Sequence, residues 1–521
     1  MKLINYIIKN RIKSPTKIAY ACNDEYLTYE ELYERIKKIS FNLKKINLKK
    51  GDIIAIIYYN SIIYPQIFYS AANLDLSIAP LNPSLSKEDI INQLNKLNVK
   101  YLFSWNAYLK GLNFKKMKLK KKNCVDLDSS SKIFKNFSEF LVKPKTDYIL
   151  KINTTSSKSN FLLGLTSGST SEPKVTIFSQ HIKILRSQHA RKIYKLSDKE
   201  VILISTPLYH SISFRLLVLP IILNSTCIIL NKFTIKNWFN TIFKWKITFS
   251  ILVSDQIEMI SSKLNKNNLK KINSLRTFVS CCSPLKYKIK NKLINNSNFE
   301  IYDTYGASEV GTITNINLKK EINKINSNGK VTRDYNVFIY KNSKLTKLNN
   351  VEGEICCKTK NIFSGYYNLR SKTKIEPKNN TIFYTGDIGY FDQDRYLYVT
   401  GRKKDIIIRG GINVYPLDVE KILNIYPNII ESAVIGIQVK NLGEMIYAFI
   451  KLKLNKKIES KKLYKHCLNK LADYQIPSKC FVVNDFPRAT LNKISKYQLK
   501  NNLHKYANKK NIIFDSYSLL I

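Results

Sequence analysis

The chain has 521 residues, 44% of them hydrophobic and 12% aromatic, a composition that indicates a globular protein of more than one domain and excludes a disordered one. Its formal net charge of +48 comes mostly from lysine, used together with much isoleucine and asparagine, a combination that A/T-rich codons explain. The most basic run, residues 115–122, contains no aromatic side chain on which bases could stack, so nucleic-acid binding is excluded as the main function.

The apolar residues and the cysteines exclude two further classes of protein. The longest apolar region, residues 201–230, is too often interrupted to predict a membrane span. The interruptions are Pro207, His210, Arg215 and Pro220. The nine cysteines form no C-x-x-C pair, so no zinc site is predicted, and reduced thiols in the cytoplasm are expected.

Strand and helix signals alternate along most of the chain. Residues 28–43 have apolar side chains at helical spacing, with Thr28 and Glu31 placed to form a capping box. A second helix is predicted at residues 61–73. Strands are predicted at residues 51–59, 161–165, 201–207, 227–230, 249–253, 277–280 and 300–302. Such alternation predicts parallel sheets covered by helices.

The pattern changes twice towards the C-terminus. Residues 329–357 show short β segments, as in a small barrel. After residues 403–405 the chain restarts with a compact α+β alternation, which predicts a domain boundary there. Its elements are predicted at residues 406–408, 417–423, 433–437, 448–452, 461–471 and 479–483.

The stretch that follows the predicted strand 161–165 is rich in hydroxyl side chains. It contains Thr166, Ser167, Gly168, Ser169 and Thr170, with Lys174 at its end. Such a loop can turn backbone N–H groups and hydroxyls toward a phosphate while the lysine supplies positive charge. Taken alone, the same stretch fits a surface turn equally simply.

Three more motifs and one lysine follow in order. They are residues 305–309 (Tyr-Gly-Ala-Ser-Glu), 384–387 (Tyr-Thr-Gly-Asp), 401–405 (Gly-Arg-Lys-Lys-Asp) and Lys493. In this order the set resembles the adenylate-forming superfamily, which includes acyl-CoA synthetases, aryl-CoA ligases, luciferases and peptide-synthetase adenylation domains. The resemblance covers essentially the whole chain.

The resemblance implies an α/β fold with two domains. Residues 1–403 would form a large N-terminal adenylate-forming domain of α/β subdomains and a small β-barrel-like subdomain. Residues 404–521 would form a small, mobile α+β lid that carries the catalytic Lys493, with Lys404 as the hinge.

The implied reaction is activation of a carboxylic acid by ATP and Mg²⁺, followed by transfer to a thiol. Such chemistry needs donors for the outer phosphates, a divalent metal and a cation near the attacking carboxylate.

The resemblance gives each motif a role. Thr166, Ser167, Gly168, Ser169, Thr170 and Lys174 would hold the β and γ phosphates, while Tyr305, Gly306 and Ser308 would bind the nucleotide. Glu309 would bind Mg²⁺, and Asp387 with Arg402 would bind the ribose and phosphate. His210 would lie beside the substrate carboxylate, and Gly410 and Gly411 would let a pantetheine arm pass. Lys493, His210 and Glu309 are the expected catalytic residues.

The sequence departs from the family pattern at several positions. Ser171 and Val175 stand where glycines are usual, which restricts the phosphate loop. Ser308 replaces a threonine, Asn492 a glycine and Asp418 a glutamate. Ser171 and Val175 motivate an alternative, a degenerate member that binds nucleotide or a partner without turnover.

The acceptor and the acid are less determined. The segment 407–416 resembles the acyl-CoA ligase version of its block, so CoA is the expected acceptor, with a carrier protein acting in trans as the alternative. Residues 211–231 contain no acidic side chain, so the acid is expected to lack an α-amino group. Residues 216–223 and 280–285 suggest an acyl or aryl pocket, and a role in fatty acid metabolism is expected. Arg215 could pair with a second carboxylate or face solvent, and solvent is favoured.

The location follows from the N-terminus. Residues 1–13 are basic and amphipathic, as in a transit peptide. However, residues 4–20 already resemble the opening segment of the family, which leaves no room for a removable leader. The protein is therefore expected in the cytoplasm, with a small-molecule acid, ATP and CoA as its partners, no nucleic acid and no transmembrane segment.

Overall fold

The computed structural model describes residues 2–144, 148–152, 158–166, 174–367, 374–375, 382–409, 412–439, 443–489, 493–507 and 511–516. The first part of the chain contains α1 (Leu3–Lys13), β1 (Ile18–Cys22), β2 (Glu25–Thr28), α2 (Tyr29–Lys45), β3 (Ile53–Ile57), α3 (Ile63–Asn73), β4 (Ser77–Pro80), α4 (Lys87–Lys96), β5 (Tyr101–Ser104), α5 (Asn106–Lys110), β6 (Cys124–Asp126), β7 (Lys135–Asn136), β8 (Asn160–Thr166) and β9 (Lys174–Ser179).

The middle of the chain adds α6 (Gln180–Ile193), β10 (Val201–Ile204), α7 (Ser211–Leu223), β11 (Thr226–Ile229), α8 (Ile235–Trp245), β12 (Phe249–Val253), α9 (Ser254–Ser262), α10 (Lys266–Lys271), β13 (Thr277–Cys281), α11 (Tyr287–Asn295), β14 (Glu300–Ala307), β15 (Gly311–Asn317) and β16 (Lys330–Val331). It continues with β17 (Tyr335–Lys341), β18 (Lys344–Thr346), β19 (Gly353–Thr359), β20 (Gly365–Tyr367), β21 (Lys374–Ile375), β22 (Phe383–Phe391) and β23 (Leu397–Arg402).

The C-terminal part contains β24 (Ile407–Arg409), β25 (Ile412–Val414), α12 (Pro416–Asn424), β26 (Ile429–Val439), β27 (Gly443–Leu452), α13 (Ser460–Leu468), β28 (Lys479–Val482), α14 (Lys496–Asn501), α15 (Leu503–Tyr506) and β29 (Ile512–Asp515). Short 3-10 helices lie at Phe114–Lys116, Lys121–Asn123, Phe137–Leu141, Ile322–Lys324, Lys403–Asp405 and Asp473–Gln475.

Two nine-stranded sheets form the N-terminal part. One has the order β16-β15-β14-β13-β12-β10-β11-β1-β2 and the other the order β21-β20-β9-β8-β4-β3-β5-β6-β7. The central strands of both sheets are parallel. Antiparallel strands complete both edges of the first sheet and the β21-β20-β9 edge of the second, whereas β7 ends the second sheet in parallel pairing. The predicted parallel sheets with covering helices are thereby confirmed.

The helix predicted from residues 28–43 is confirmed as α2. The Glu31 N–H donates to Thr28 Oγ1 at 3.2 Å, and the Thr28 N–H donates to Glu31 Oε2 at 2.8 Å, which completes the expected capping box. The apolar stripe of α2 is fully buried in the largest core cluster, which joins both large sheets through α1, α2, α3 and α7.

The apolar run 216–223 belongs to that core. It forms most of α7, and Leu216 and Leu217 are completely buried. The hydroxyls of Tyr20 and Tyr69 donate to the Leu217 carbonyl at 2.5 and 2.7 Å. That this run lines an acyl or aryl pocket stays a prediction, because an apolar run reads the same in a core helix and in a pocket wall.

The expected barrel-like subdomain is a five-stranded antiparallel sheet, with the order β18-β17-β19-β22-β23. Within the described residues, no pairing joins its two outer strands. The sheet is antiparallel throughout, and it delivers the segments 384–387 and 401–402 side by side.

The elements from β24 onward have their own core. A two-stranded sheet, β24-β25, and a four-stranded sheet, β26-β27-β28-β29, make up this part. Its buried side chains form two clusters drawn only from residues 407–514. Among the described residues, none of the helices is long and apolar enough to cross a membrane.

Candidate active site

Asp387 lies at the centre of one group of predicted residues. Tyr305 Oη donates to Asp387 Oδ2 at 2.8 Å, and Arg402 Nε forms an ion pair with Asp387 Oδ1 at 3.0 Å. Asp387 and Arg402 are register partners on β22 and β23, which explains why they meet. Gly386 before them has φ of +74° and open space where a Cβ would stand. The carboxylate is thus fixed on the protein side beside room for a ligand.

The ionisation of Asp387 reflects this position. Burial raises the pKa of its carboxyl, while the Arg402 charge and the Tyr305 hydrogen bond oppose that rise. The positive charge of Lys493 also lowers the pKa of Asp387.

Glu309 forms a second group. Tyr366 Oη donates to Glu309 Oε1 at 2.8 Å, and Lys174 Nζ lies 5.4 Å from the centroid of the Tyr366 ring. The pairing of β20 with β9 places Tyr366 opposite Thr176, two residues after Lys174. The structure therefore brings Lys174 and Glu309 to the same tyrosine.

The loop that carries Ser308 and Glu309 is tightly built. A Cβ on Gly306 would lie 1.9 Å from the Gly311 carbonyl oxygen, so only glycine fits there. Arg186 donates from Nη1 to the Ser308 carbonyl at 2.8 Å and from Nη2 to the Glu309 carbonyl at 2.7 Å. The backbone before the Glu309 carboxylate is thus held by a buried arginine.

His210 and Lys493 approach the site from different elements. His210 immediately precedes α7, its ring centroid is 4.5 Å from that of Tyr209, and burial lowers the pKa of its imidazole to about 4. His210 is therefore neutral near pH 7. Lys493 is exposed, and its carbonyl accepts from the Ala489 N–H at 2.7 Å.

Cys282 forms a hydrogen bond with its neighbour Cys281. The Cys281 and Cys282 sulfurs are 3.4 Å apart, and their hydrogen bond, helped by the charges of Lys493 and Arg215, lowers the pKa of Cys282 to about 7.

Lys404 lies in the 3-10 helix Lys403–Asp405, directly after β23. Burial lowers the pKa of its ammonium, and the charges of Arg402 and Lys174 act in the same direction. Lys404 follows Arg402, the ion-pair partner of Asp387, by two residues. The side chain of Thr166, the loop residues Ser167, Gly168, Ser169, Thr170 and Ser171, and also Asn492, Gly410 and Gly411 lie outside the described residues.

Sequence reasoning missed two residues that the structure places here, Arg186 and Tyr366. Their partners are distant in sequence, since Ser308 follows Arg186 by 122 positions and Glu309 precedes Tyr366 by 57. Reasoning also misplaced Arg215. This side chain is half-buried and donates from Nη1 to Thr312 Oγ1 at 2.8 Å, so the expectation that it faces solvent was wrong.

The donor set fits a magnesium ion that is shared with phosphates. Within the described part of the chain, no three His, Cys, Asp or Glu side chains gather as a metal site. Mg²⁺ in phosphate chemistry takes one or two carboxylates and completes its octahedron with phosphate oxygens and water. Glu309, close to Lys174, offers such a carboxylate.

Comparison with known proteins identifies the family. The model of the AMP-binding enzyme family matches residues 9–367, and that of the AMP-binding enzyme C-terminal domain matches residues 418–493. The chain therefore belongs to the AMP-binding enzyme family, and its resemblance to the adenylate-forming superfamily is confirmed.

Individual relatives cover nearly the whole chain. It is 26% identical over 500 residues to the 2-succinylbenzoate–CoA ligase of Bacillus subtilis, covering 95% of this chain and 97% of that protein. It is 27% identical over 508 residues to the ligase of the same name from Bacillus velezensis, covering 96% and 98%.

Solved structures share the fold. The Bacillus subtilis o-succinylbenzoate coenzyme A synthetase, in complex with ATP and magnesium, matches with a TM-score of 0.83 and 24% identity over 96% of this chain and 99% of that one. An anthranilate CoA ligase in complex with anthranoyl-AMP matches with a TM-score of 0.84 and 19% identity over 96% and 97%. The names of these relatives concern aryl acids, so the expected role in fatty acid metabolism finds no support among them.

Proposed function

We propose that this protein is an AMP-forming carboxylate–CoA ligase whose acid is 2-succinylbenzoate or a related aryl acid without an α-amino group. One observation carries the proposal: Tyr305 and Arg402, from two other motifs of the predicted site, hold the Asp387 carboxylate. A nucleotide ribose needs a fixed acceptor, and the reacting carboxylate and α-phosphate need a cation. The names of the relatives support the acid and the acceptor.

The first half-reaction joins two anions. A carboxylate oxygen of the acid attacks the α-phosphorus of ATP, and the bond to pyrophosphate breaks. Asp387 would accept hydrogen bonds from the ribose hydroxyls, with Arg402 beside them. Lys174, with the segment from Thr166 to Thr170, would hold the outer phosphates. Lys493 would neutralise the charge that builds up between carboxylate and phosphate.

Two further residues prepare this site. Glu309 would hold Mg²⁺, which supplies charge neutralisation for the phosphates. His210, neutral because of its burial, would lie beside the carboxylate without adding charge. In the second half-reaction the CoA sulfur attacks the carbonyl carbon of the acyl-adenylate, and AMP leaves with the bonding electrons.

The two half-reactions would use two positions of the lid. We assign residues 1–403 to the N-terminal domain and residues 404–521 to the lid, a division supported by the separate core of residues 407–514. Lys404 would be the hinge, since it directly follows β23. Gly410 and Gly411 would line the path of the pantetheine arm. The proposed location is the cytoplasm.

The test is acid-dependent pyrophosphate release from ATP and Mg²⁺, with 2-succinylbenzoate, anthranilate and palmitate, each with and without CoA. We expect release with an aryl acid, a thioester by mass spectrometry when CoA is present, and a loss of rate of about 100- to 1,000-fold in Lys493→Ala. Lys505→Ala, at an exposed position of α15, is the matched control and should retain the rate.

Three other outcomes of this assay would change the proposal. If pyrophosphate release did not respond to CoA and the acyl group were transferred to a phosphopantetheine carrier protein, the acceptor would be the carrier protein and not CoA. If pyrophosphate were released with palmitate and not with either aryl acid, the substrate would be a fatty acid and not an aryl acid. A folded protein that binds ATP and releases no pyrophosphate with any acid would refute the ligase and favour a degenerate member of the family.

A further inference from the structure

Two neighbouring cysteines lie in contact at the end of strand β13. The Sγ atoms of Cys281 and Cys282 are 3.4 Å apart, and the Cys281 sulfur is also 3.4 Å from the Leu252 carbonyl oxygen. All nine cysteines of the chain lie within the described residues; eight are buried, and Cys282 is half-buried. The pair therefore combines a thiol that solvent can reach with a buried thiol in contact with it.

The backbone on both sides of the pair is fixed by other elements. Thr304 Oγ1 donates to the Ser280 carbonyl at 2.7 Å, and Ser254 Oγ donates to the Ser283 carbonyl at 2.5 Å. Between these two anchors Cys282 has a φ of +77°, in the left-handed region that residues with a Cβ rarely adopt. The fold thus maintains an unfavourable backbone conformation at the point where the two sulfurs meet.

A second adjacent pair, Cys356–Cys357, shows that neighbouring cysteines need not have these properties. Both residues lie within strand β19, where successive side chains point to opposite faces of the sheet, and both are buried. Burial raises the pKa of each of these thiols to about 12. The pKa of Cys282 is instead lowered to about 7, by the hydrogen bond from its neighbour and by the positive charges of Lys493 and Arg215.

These features are those of a cysteine that reacts with oxidants. The thiolate is the nucleophilic form, and at pH 7 a thiol with a pKa of about 7 is about half ionised, against about 3% for an ordinary cysteine. Cysteines that sense oxidants have a low pKa, are accessible to solvent and lie beside a second thiol that completes a disulfide. Cys282 has the first two properties, and Cys281 provides the third.

We propose that Cys282 and Cys281 form a site of reversible oxidation, at which hydrogen peroxide converts the two thiols into a disulfide and the ligase activity falls. The Cys282 thiolate attacks one oxygen of the peroxide, the O–O bond breaks, and the other oxygen leaves as hydroxide with the bonding electrons. The Cys281 sulfur then attacks the sulfur of the resulting sulfenic acid. The S–O bond breaks, and its oxygen leaves as water with the Cys281 proton. The two thiols lose two electrons, which the peroxide accepts.

A disulfide between adjacent residues is easily reversed. Consecutive Cα atoms lie about 3.8 Å apart, closer than the range of about 4.4–6.8 Å that is usual for disulfides. The bond is therefore strained and more easily reduced than an ordinary disulfide. Strained or exposed disulfides are the ones that serve regulation.

Disulfide formation should alter the nucleotide site through β14. The two sulfurs must approach from 3.4 Å to about 2.05 Å, which moves the backbone of the pair. Ser280, next to the pair, accepts the hydrogen bond from Thr304. Thr304 directly precedes Tyr305, whose hydroxyl donates to Asp387. The effect on activity rests on the proposed ligase function, whereas the oxidation itself does not.

The first arm of the test uses the unaltered full chain. The reduced protein is treated with hydrogen peroxide at pH 7, free thiols are blocked with iodoacetamide, and tryptic peptides are analysed by mass spectrometry. Peptide 277–286 contains the pair Cys281–Cys282, and peptide 348–358 contains Cys356–Cys357 as the internal control. We expect peptide 277–286 to lose two hydrogens and both alkylation sites at least about tenfold faster than the control pair reacts, and dithiothreitol to restore them.

The second arm measures activity in the same samples. Acid-dependent pyrophosphate release should fall by about 10- to 100-fold as the disulfide forms, and it should return after dithiothreitol. Cys281→Ser should stop at a sulfenic acid on Cys282, which dimedone traps, because the second thiol is missing. Cys282→Ser should form neither product, and peroxide should leave it with the rate that the same variant had before treatment.

Several results would overturn the inference. If peptide 277–286 kept two free thiols, or oxidised no faster than the control peptide, the site would be excluded. Sulfinic acid on Cys282 beside a free Cys281 thiol would show that Cys281 does not complete a disulfide. A disulfide that left the pyrophosphate rate unchanged would refute the effect on the ligase. If no acid supported pyrophosphate release before oxidation, the ligase would be refuted, and the peptide masses would still decide whether the pair is oxidised.

Discussion

Replacement of Arg186 by methionine tests whether a buried arginine holds the predicted magnesium ligand in place. The substitution removes the hydrogen bonds to the carbonyls of Asn361, Ser308 and Glu309, at 3.0, 2.8 and 2.7 Å. The Glu309 carbonyl keeps the Phe363 N–H at 2.6 Å, so two carbonyls lose their donor among the described residues. At about 1–3 kcal/mol for each buried group left unpaired, the free energy of unfolding should fall by about 2–6 kcal/mol.

The substitution should also weaken the binding of Mg²⁺ needed for pyrophosphate release, because the Ser308–Glu309 backbone is no longer fixed. We expect the Mg²⁺ concentration for half-maximal pyrophosphate release to rise in Arg186→Met, under conditions where the variant is folded. Urea unfolding measures the stability, and a magnesium titration at saturating ATP measures the site. Arg191→Met, on the exposed face of the same helix, should alter neither. If Arg186→Met unfolded within about 0.5 kcal/mol of the unaltered protein and kept its magnesium dependence, the loop would not depend on Arg186.

Three further changes test other contacts. Tyr305→Phe removes the hydrogen bond to Asp387 and should raise the KM for ATP about tenfold in the pyrophosphate assay; an unchanged KM would contradict the ribose role of Asp387. The rate of Cys282 alkylation by iodoacetamide, followed by mass spectrometry, should rise with pH around a midpoint of about 7. Lys493→Ala should move this midpoint to a higher pH, because a positive charge that lowers the pKa of Cys282 is lost. A midpoint at the ordinary cysteine value of about 8.5 would refute this environment. Burial lowers the pKa of His189 from 6.5 to about 4, so the unfolded chain binds an extra proton between these values. The free energy of unfolding should therefore fall as the pH drops below 6.5, by up to about 1.4 kcal/mol per pH unit from this residue. Urea unfolding of His189→Gln at several pH values should show a weaker dependence of that free energy on pH. The same pH dependence in both proteins would contradict the burial of His189.

Local signals in the sequence predicted the local structure well. The capping box at Thr28 and Glu31 was readable because both partners lie within one turn of α2. Strand β12 was predicted with its observed limits, because residues 249–253 are a short apolar run. Strand β14 was predicted as residues 300–302, yet it extends to Ala307. Its polar second half is held by antiparallel pairing with β15, which no local pattern reveals.

The candidate site was predictable only as far as its motifs extend. Asp387 and Arg402 stood in recognisable segments, and the structure adds that they form an ion pair. The roles of Tyr366 and Arg186 could not be predicted, because a tyrosine after a loop and an arginine in a helix carry no local signal. Their partners lie 57 and 122 residues away, and only the assembled sheets bring them together.

The strand pair β22–β23 has a consequence for the energetics of the whole cycle. It carries the Asp387–Arg402 ion pair and continues without an intervening loop into the segment of Lys404, about which we propose that the lid turns. Nucleotide binding and lid angle would then be thermodynamically linked through one rigid element. Linkage is reciprocal: if turning the lid weakens AMP binding by some factor, AMP must resist the turn by the same factor. The position of the lid would thereby influence how tightly AMP is held before it is released. A substitution at Lys404 would then change the affinity for AMP.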